Sequence, residues 1–87
     1  MKIEIWELIQ DALDAGGTIE YDKVIVRDNG VIHRKDGPAA VDFEGNQWWY
    51  LNGKCHREDG PSVIFQNGRK AWYRHGKFLS DEENETE

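Results

Sequence analysis

Over the first fifteen residues apolar positions recur at three-and-four spacing: Ile5, Trp6, Ile9, Ala12 and Leu13 share one side, while Glu7, Gln10, Asp11 and Asp14 fall largely elsewhere. That spacing predicts a helix over residues 3–15, because a turn of about 3.6 residues lays such positions along one stripe. Gly16-Gly17 follows and supplies the left-handed residue on which helices commonly end. Beyond the glycines the texture changes to short runs of alternating, β-branched and aromatic character. Strands are predicted at Thr18–Tyr21, Val24–Arg27, Val31–His33, Ala39–Phe43, Gln47–Leu51, Lys54–His56, Ser62–Gln66, Arg69–Arg74 and Lys77–Leu79. Turn signals separate them at Asp28-Asn29-Gly30, Glu44-Gly45-Asn46, Asn52-Gly53, Asn67-Gly68 and His75-Gly76. Asn-Gly is a strong hairpin signal, since a type I′ turn needs positive φ at both central positions.

The strands are copies of one another. His33-Arg34-Lys35-Asp36-Gly37-Pro38-Ala39 returns as His56-Arg57-Glu58-Asp59-Gly60-Pro61-Ser62, a step of 23 residues. At the same step Gly30, Gly53 and Gly76 fall in register, as do Val26, Trp49 and Trp72, and Arg27, Tyr50 and Tyr73. A fixed period of this size signals stacked supersecondary units whose terminal copies are atypical. The expected fold is therefore mainly β with one N-terminal helix: an antiparallel meander of about two and a half hairpin repeats, the helix packed on one face. Residues 1–80 form one domain in this reading, with the repeat sheet over 24–79 and a disordered acidic tail over 81–87.

Charge refines the picture without changing the fold. The net charge of −6 is segregated: residues 1–22 carry −5, residues 81–87 carry −5, and residues 23–80 carry +4. Such asymmetry bears on partners and steering. One cysteine, Cys55, excludes an internal disulfide framework and fits a reducing compartment. No apolar run approaches the roughly 20 residues a membrane helix needs, and acids interrupt the start where a signal peptide is apolar. A cytoplasmic protein with no membrane association is expected.

The run Trp49-Tyr50-Leu51-Asn52-Gly53-Lys54-Cys55-His56, with Gly60, Val63, Phe65 and Asn67-Gly68 after it, resembles the MORN-type repeat, a β-hairpin unit of similar period. The fuller signature, H-R-x-D-G-P-A followed by Gly and W-Y-x-N-G-K, is similar to a divergent MORN-like repeat of uncharacterised bacterial and bacteriophage proteins. The resemblance covers roughly residues 24–79 and departs from the ordinary pattern where Arg57-Glu58-Asp59 precede the glycine. It implies a hairpin-repeat architecture and protein interaction more often than catalysis.

Read from the residues alone, Asp36-Gly37-Pro38 and Asp59-Gly60-Pro61 are turn chemistry, with Arg34 and Arg57 two places ahead of an aspartate they can pair. Arg34, Asp36, Gly37, Pro38, Arg57, Asp59, Gly60 and Pro61 are thus structural repeat residues. Three histidines and a cysteine invite a metal or catalytic reading, which the spacing opposes. His33 and His56 should lie about 10 Å apart across two strand spacings. A shared zinc needs ring nitrogens within about 4 Å of each other. No metal site, no cofactor and no enzymatic activity are expected, because no motif for any of them is present. Alternation sets Val26, Trp49 and Trp72 on one face and Arg27, Trp48, Tyr50 and Tyr73 on the other. Trp48, Tyr50 and Tyr73, with Arg27, Arg69, Lys70 and Arg74 beside them, form the expected partner surface, being residue types enriched at binding hot spots. The function expected is a small non-enzymatic protein-interaction module, such as a phage-encoded modulator or inhibitor of a host protein. The alternative is a nucleic-acid role: direct binding by the basic aromatic sheet, or mimicry by the acidic helix and tail. Exposed sheet edges make a homodimer a further expectation.

Overall fold

The computed structural model describes residues 4–82 and shows a mainly β chain with a single helix packed on an antiparallel sheet. Helix α1, Ile5–Asp14, ends through Ala15 in a Schellman arrangement: Gly17 N–H donates to the Ala12 carbonyl at 2.9 Å and Gly16 N–H to that of Leu13 at 3.0 Å. Gly16 sits at φ +96°, the left-handed conformation anticipated for it. Expected residue 3 lies outside the described range.

Eleven short strands follow: β1 Thr18–Glu20, β2 Lys23–Ile25, β3 Arg27–Asp28, β4 Val31–Ile32, β5 Ala40–Asp42, β6 Gln47–Trp48, β7 Tyr50–Leu51, β8 Lys54–Cys55, β9 Val63–Ile64, β10 Lys70–Arg74 and β11 Lys77–Glu82. Seven make one sheet in the order β1-β2-β5-β6-β9-β10-β11, and β3-β4 and β7-β8 form two side ribbons. The continuous strands expected at Val24–Arg27 and Gln47–Leu51 are thus each split. The cause is a change of partner. Val26 takes its N–H to Ala39 but gives its carbonyl to His33, and Trp49 does the same with Ser62 and His56. One strand therefore pairs first with the main sheet and then with its own ribbon, and the His-Arg-x-Asp-Gly-Pro segment is the excursion between. Both ribbon turns, Asn29-Gly30 and Asn52-Gly53, and the β10–β11 turn, His75-Gly76, have both residues at positive φ, the type I′ requirement.

The last hairpin differs in an informative way. Leu79 and Ser80 stand where the other segments have His-Arg, and β11 runs straight back along β10 with a single register shift between Trp72 and Tyr73. A one-residue bulge at Leu79 replaces the seven-residue loop. β11 also continues through Asp81 and Glu82, opposite Ala71 and Lys70. The acidic tail expected from residue 81 therefore does not begin there, because cross-strand pairing holds these two residues; residues 83–87 lie outside the described range.

The core sits under the helix. Ala12 packs with Val24, Val26 and Val41, supported by Leu8, Ile9 and Leu13, and α1 contacts β2 and β5. Trp6, placed by periodicity on the apolar stripe, is 66% exposed. Leu8 takes the place expected for it, since the buried stripe runs through Leu8, Ile9 and Ala12 and Trp6 lies beyond its margin.

Candidate functional site

Directly opposed residues on neighbouring strands share a face of a sheet. Val24, Val41, Gln47, Ile64, Lys70 and Glu82 form one such row, on the helix side. Ile25, Ala40, Trp48, Val63, Ala71 and Asp81 form the other. On this second face, which the helix does not cover, Trp48, Tyr50, Cys55, Val63, Phe65, Ala71 and Tyr73 line a groove of about 240 Å³. The floor is Val63 and Ala71, both buried, while Trp48, Tyr50 and Tyr73 are half-buried and Phe65 is exposed at the rim. Phe78 meets Tyr73 edge-on at 5.5 Å between ring centroids.

Two groups in the groove are shifted toward their neutral forms, Cys55 and Tyr50. Burial pushes the Cys55 thiol up from its ordinary value, although its contact with the Ser62 carbonyl works the other way. Burial likewise raises the Tyr50 phenol, with Cys55 and Tyr73 adding to the effect. The groove presents rings, a protonated thiol and phenol hydroxyls. It fits an apolar group with a polar edge.

Of the residues expected at a partner surface, Trp48, Tyr50 and Tyr73 do come together here, and the basic ones do not. Arg27 is held by both carboxylate oxygens of Glu20, at 2.9 and 2.8 Å, and donates to the Gly30 carbonyl. Lys70 pairs across to Ile64 and Glu82 on the helix side, and Arg74, four residues on along the same strand, points the same way; Tyr73 between them points into the groove. Arg69 belongs to the turn before β10, where its carbonyl accepts from Phe65. Strand alternation separates adjacent residues, so a cation beside an aromatic in sequence is across the sheet from it in space.

The two His-Arg-x-Asp-Gly-Pro segments form staples with the same hydrogen bonds. Arg34 Nε donates to Asp36 at 3.0 Å and its Nη1 to the Pro38 carbonyl at 3.3 Å; Arg57 repeats this to Asp59 at 3.1 Å and Pro61 at 3.0 Å. A Cβ on Gly37 or Gly60 would meet the arginine Cζ at 2.7 or 2.9 Å, so each guanidinium lies against bare glycine backbone. The expected structural pairing is thus present in both. The arginines differ only in what covers them. Arg34 also pairs with Asp11 of the helix at 2.9 Å, whereas Arg57 lies over the Trp49 ring at 4.1 Å.

The histidines join one segment to the next. His33 Nδ1 accepts from the Asn52 backbone N–H and His56 Nδ1 from that of His75, both at 2.9 Å. Gly53 donates to the Ile32 carbonyl and Gly76 to that of Cys55 beside them. The residue type gave no hint of this role. The signal was available all the same: each His stands 19 residues before a turn residue, twice. Among the described residues no group of three His, Cys, Asp or Glu could hold a metal ion. No helix among them is long and apolar enough to cross a membrane.

The staples make an acid-stability prediction. The Arg34 hydrogen bond, then its charge, lowers Asp36 below the ordinary 3.8, and Arg27 acts the same way to lower Glu20 below 4.5. A depressed folded value gives stability that is present above the unfolded value and lost as pH falls through the folded one. The melting temperature should therefore hold above about pH 5 and decline below about pH 4. The Glu20→Gln/Asp36→Asn protein should show a shallower decline, measured by thermal melts across that range; an unchanged slope would refute the assignment.

No known protein family, curated protein or solved structure matches this chain.

Proposed function

We propose that this chain is a small non-enzymatic protein-interaction module, and that its partner inserts an apolar side chain, aromatic or branched, into the groove of Trp48, Tyr50, Phe65 and Tyr73. The observation that carries the reading is the convergence of these rings on the sheet face the helix leaves uncovered. Size favours a side-chain anchor. About 240 Å³ falls short of the roughly 300–1,000 Å³ typical of small-molecule sites. It suits one or two residues of a protein segment, and Trp and Tyr are the residue types around which binding energy concentrates. The resemblance to MORN-like repeats of bacterial and bacteriophage proteins supports a modulator of a host protein over a catalyst. Direct nucleic-acid binding draws less support. A stacking platform needs cations beside its rings, but Lys70 and Arg74 point to the opposite face and Arg27 is tied to Glu20.

Tagged protein should retain a stoichiometric protein partner from bacterial lysate, and Tyr73→Ala should weaken the purified complex by roughly 30-fold or more, as a central hot spot does. Lys70→Ala, on the other face, should change it less than about threefold. Equal losses from the two variants, or a complex that persists in Tyr73→Ala, would overturn the groove as the docking site.

A further inference from the structure

The free edge of the sheet supports a second reading that does not depend on the groove. Among the described residues β11 pairs with β10 on one side only and is exposed along its whole length, with Phe78 57% and Leu79 55% exposed. An unpaired apolar strand of this kind is a template for another strand. Backbone directions fix what it offers. The carbonyls of Ala71 and Tyr73 accept from Ser62 and Arg57, so these two residues face the preceding strand. Residues alternate in an antiparallel ladder, so Trp72 and Arg74 face β11, and their partners Ser80 and Lys77 face inward. Phe78 and Asp81 are left with N–H and C=O directed outward, on either side of the Leu79 bulge.

We infer that β11 pairs antiparallel with β11 of a second copy about a two-fold axis, Phe78 opposite the partner's Asp81 and Lys77 opposite the partner's Glu82. This register brings outward-facing residues into hydrogen-bonded pairs on both sides of the axis. It also matches faces. Phe78 and Asp81 lie on the groove side, with Tyr73 and Ala71, while Lys77 and Glu82 lie on the other, with Arg74 and Lys70. A shift of one residue would set Phe78 against the partner's Ser80 or Glu82 and send paired side chains to opposite faces. Charge agrees: each end of the pairing sets a lysine against a glutamate, and neither Lys77 nor Glu82 has an ion-pair partner among the described residues.

Geometry selects a second copy over other strands. The bulge bends the edge and discourages a straight strand, but a two-fold axis between Leu79 and Ser80 sets two identical bends side by side. Beside that axis Trp72, Leu79, Ser80, Asp81 and Glu82 line a shallow concavity of about 400 Å³, which would receive the partner's Leu79. The opposite edge offers no equivalent. β1 has three residues, and Glu20 and Lys23 close a two-residue turn and face each other, so only Ile19 of β1 presents its backbone outward. Pairing β11 to β11 closes a dimer and leaves no open end of the same kind.

The test is a charge exchange read by sedimentation equilibrium at low salt, with circular dichroism to confirm folding of these exposed variants. Wild type should be dimeric at about 100 μM, an affinity in the range of modest interfaces. Lys77→Glu and Glu82→Lys should each raise the dimer dissociation constant by roughly tenfold or more, since like charges then meet at both ends. The combined Lys77→Glu/Glu82→Lys protein should return to within about threefold of wild type. A monomeric wild type, single variants without effect, or a combined variant no better than its parents would each overturn the pairing. Trp48→Ala, which also disturbs the groove but lies on β6 with β9 and β10 between it and β11, should leave the dissociation constant within about threefold, so the two readings fail separately.

Discussion

Replacing His56 with alanine should cost the protein about 2–4 kcal/mol, far more than a typical polar substitution. The ring is 4% exposed and makes three contacts at once. Its Nδ1 accepts the His75 backbone N–H at 2.9 Å, its Nε2 lies 3.3 Å from Glu58, and its plane rests against the His75 ring at 4.4 Å between centroids. An acceptor at Nδ1 places the proton of a neutral ring on Nε2, where it can be donated to Glu58. Alanine would leave a part-buried N–H without its partner, a loss of about 1–3 kcal/mol, and add a cavity of ring size. His33→Ala is the internal control. Its Nδ1 makes the same bond to Asn52, but in an exposed setting where water replaces the acceptor, so about 1 kcal/mol is expected. His56→Asn should recover part of the loss, because the amide oxygen can take the place of Nδ1. Urea midpoints of the variants decide the matter. If His56→Ala and His33→Ala differ by less than about 0.5 kcal/mol, the buried histidine is not the join between hairpins described above.

Much of this architecture could be read from the chain because the chain states it more than once. The Asn-Gly turns require a left-handed pair, and Asn29, Asn52 and His75 all adopt it. Arg34 and Arg57 stand two residues ahead of an aspartate, and both pair with it. These are local contacts, within four residues, where sequence spacing and spatial distance nearly coincide. The histidines were harder, since their partners lie on the next hairpin and are backbone groups, which carry no residue-type signal. The groove was half legible. Alternation correctly grouped Trp48, Tyr50 and Tyr73, yet the basic residues assigned with them, Lys70 and Arg74, belong to the other face by that same alternation. The helix stripe was misjudged at its margin, because Trp6 is apolar by composition but lies past the strands that α1 covers. Asp81 and Glu82 were assigned to a tail on composition alone, whereas pairing to Ala71 and Lys70 decides their conformation.

Gly17→Ala should be as damaging as the loss of His56, and for a reason its neighbour does not share. A Cβ at Gly17 would stand 2.7 Å from the Ala12 carbonyl oxygen and 2.7 Å from Val24 Cγ1. The first obstacle is backbone, fixed by the Gly17 N–H bond that closes the helix; the second is a fully buried side chain of the core. Neither can move without opening the seam between α1 and β2, so about 2–4 kcal/mol should be lost. At Gly16 the situation is reversed. A Cβ there meets nothing within 4 Å, and only the φ of +96° resists it, so Gly16→Ala should cost about 1–2 kcal/mol. The order of the two costs therefore separates packing from backbone strain at adjacent positions. Second-site relief sharpens the test. Trimming Val24 to alanine removes one of the two clashes and costs about 1–2 kcal/mol when made alone. In the Gly17→Ala background it should cost less, giving a favourable coupling of at least about 0.5 kcal/mol between the sites. Hydrogen exchange should locate the damage, with amides of α1 losing protection before those of β9 and β10, because the helix rests chiefly on β2 and β5. Strict additivity of the two substitutions, or uniform loss of protection across the sheet, would show that the Ala12–Gly17–Val24 contact is not what seats the helix.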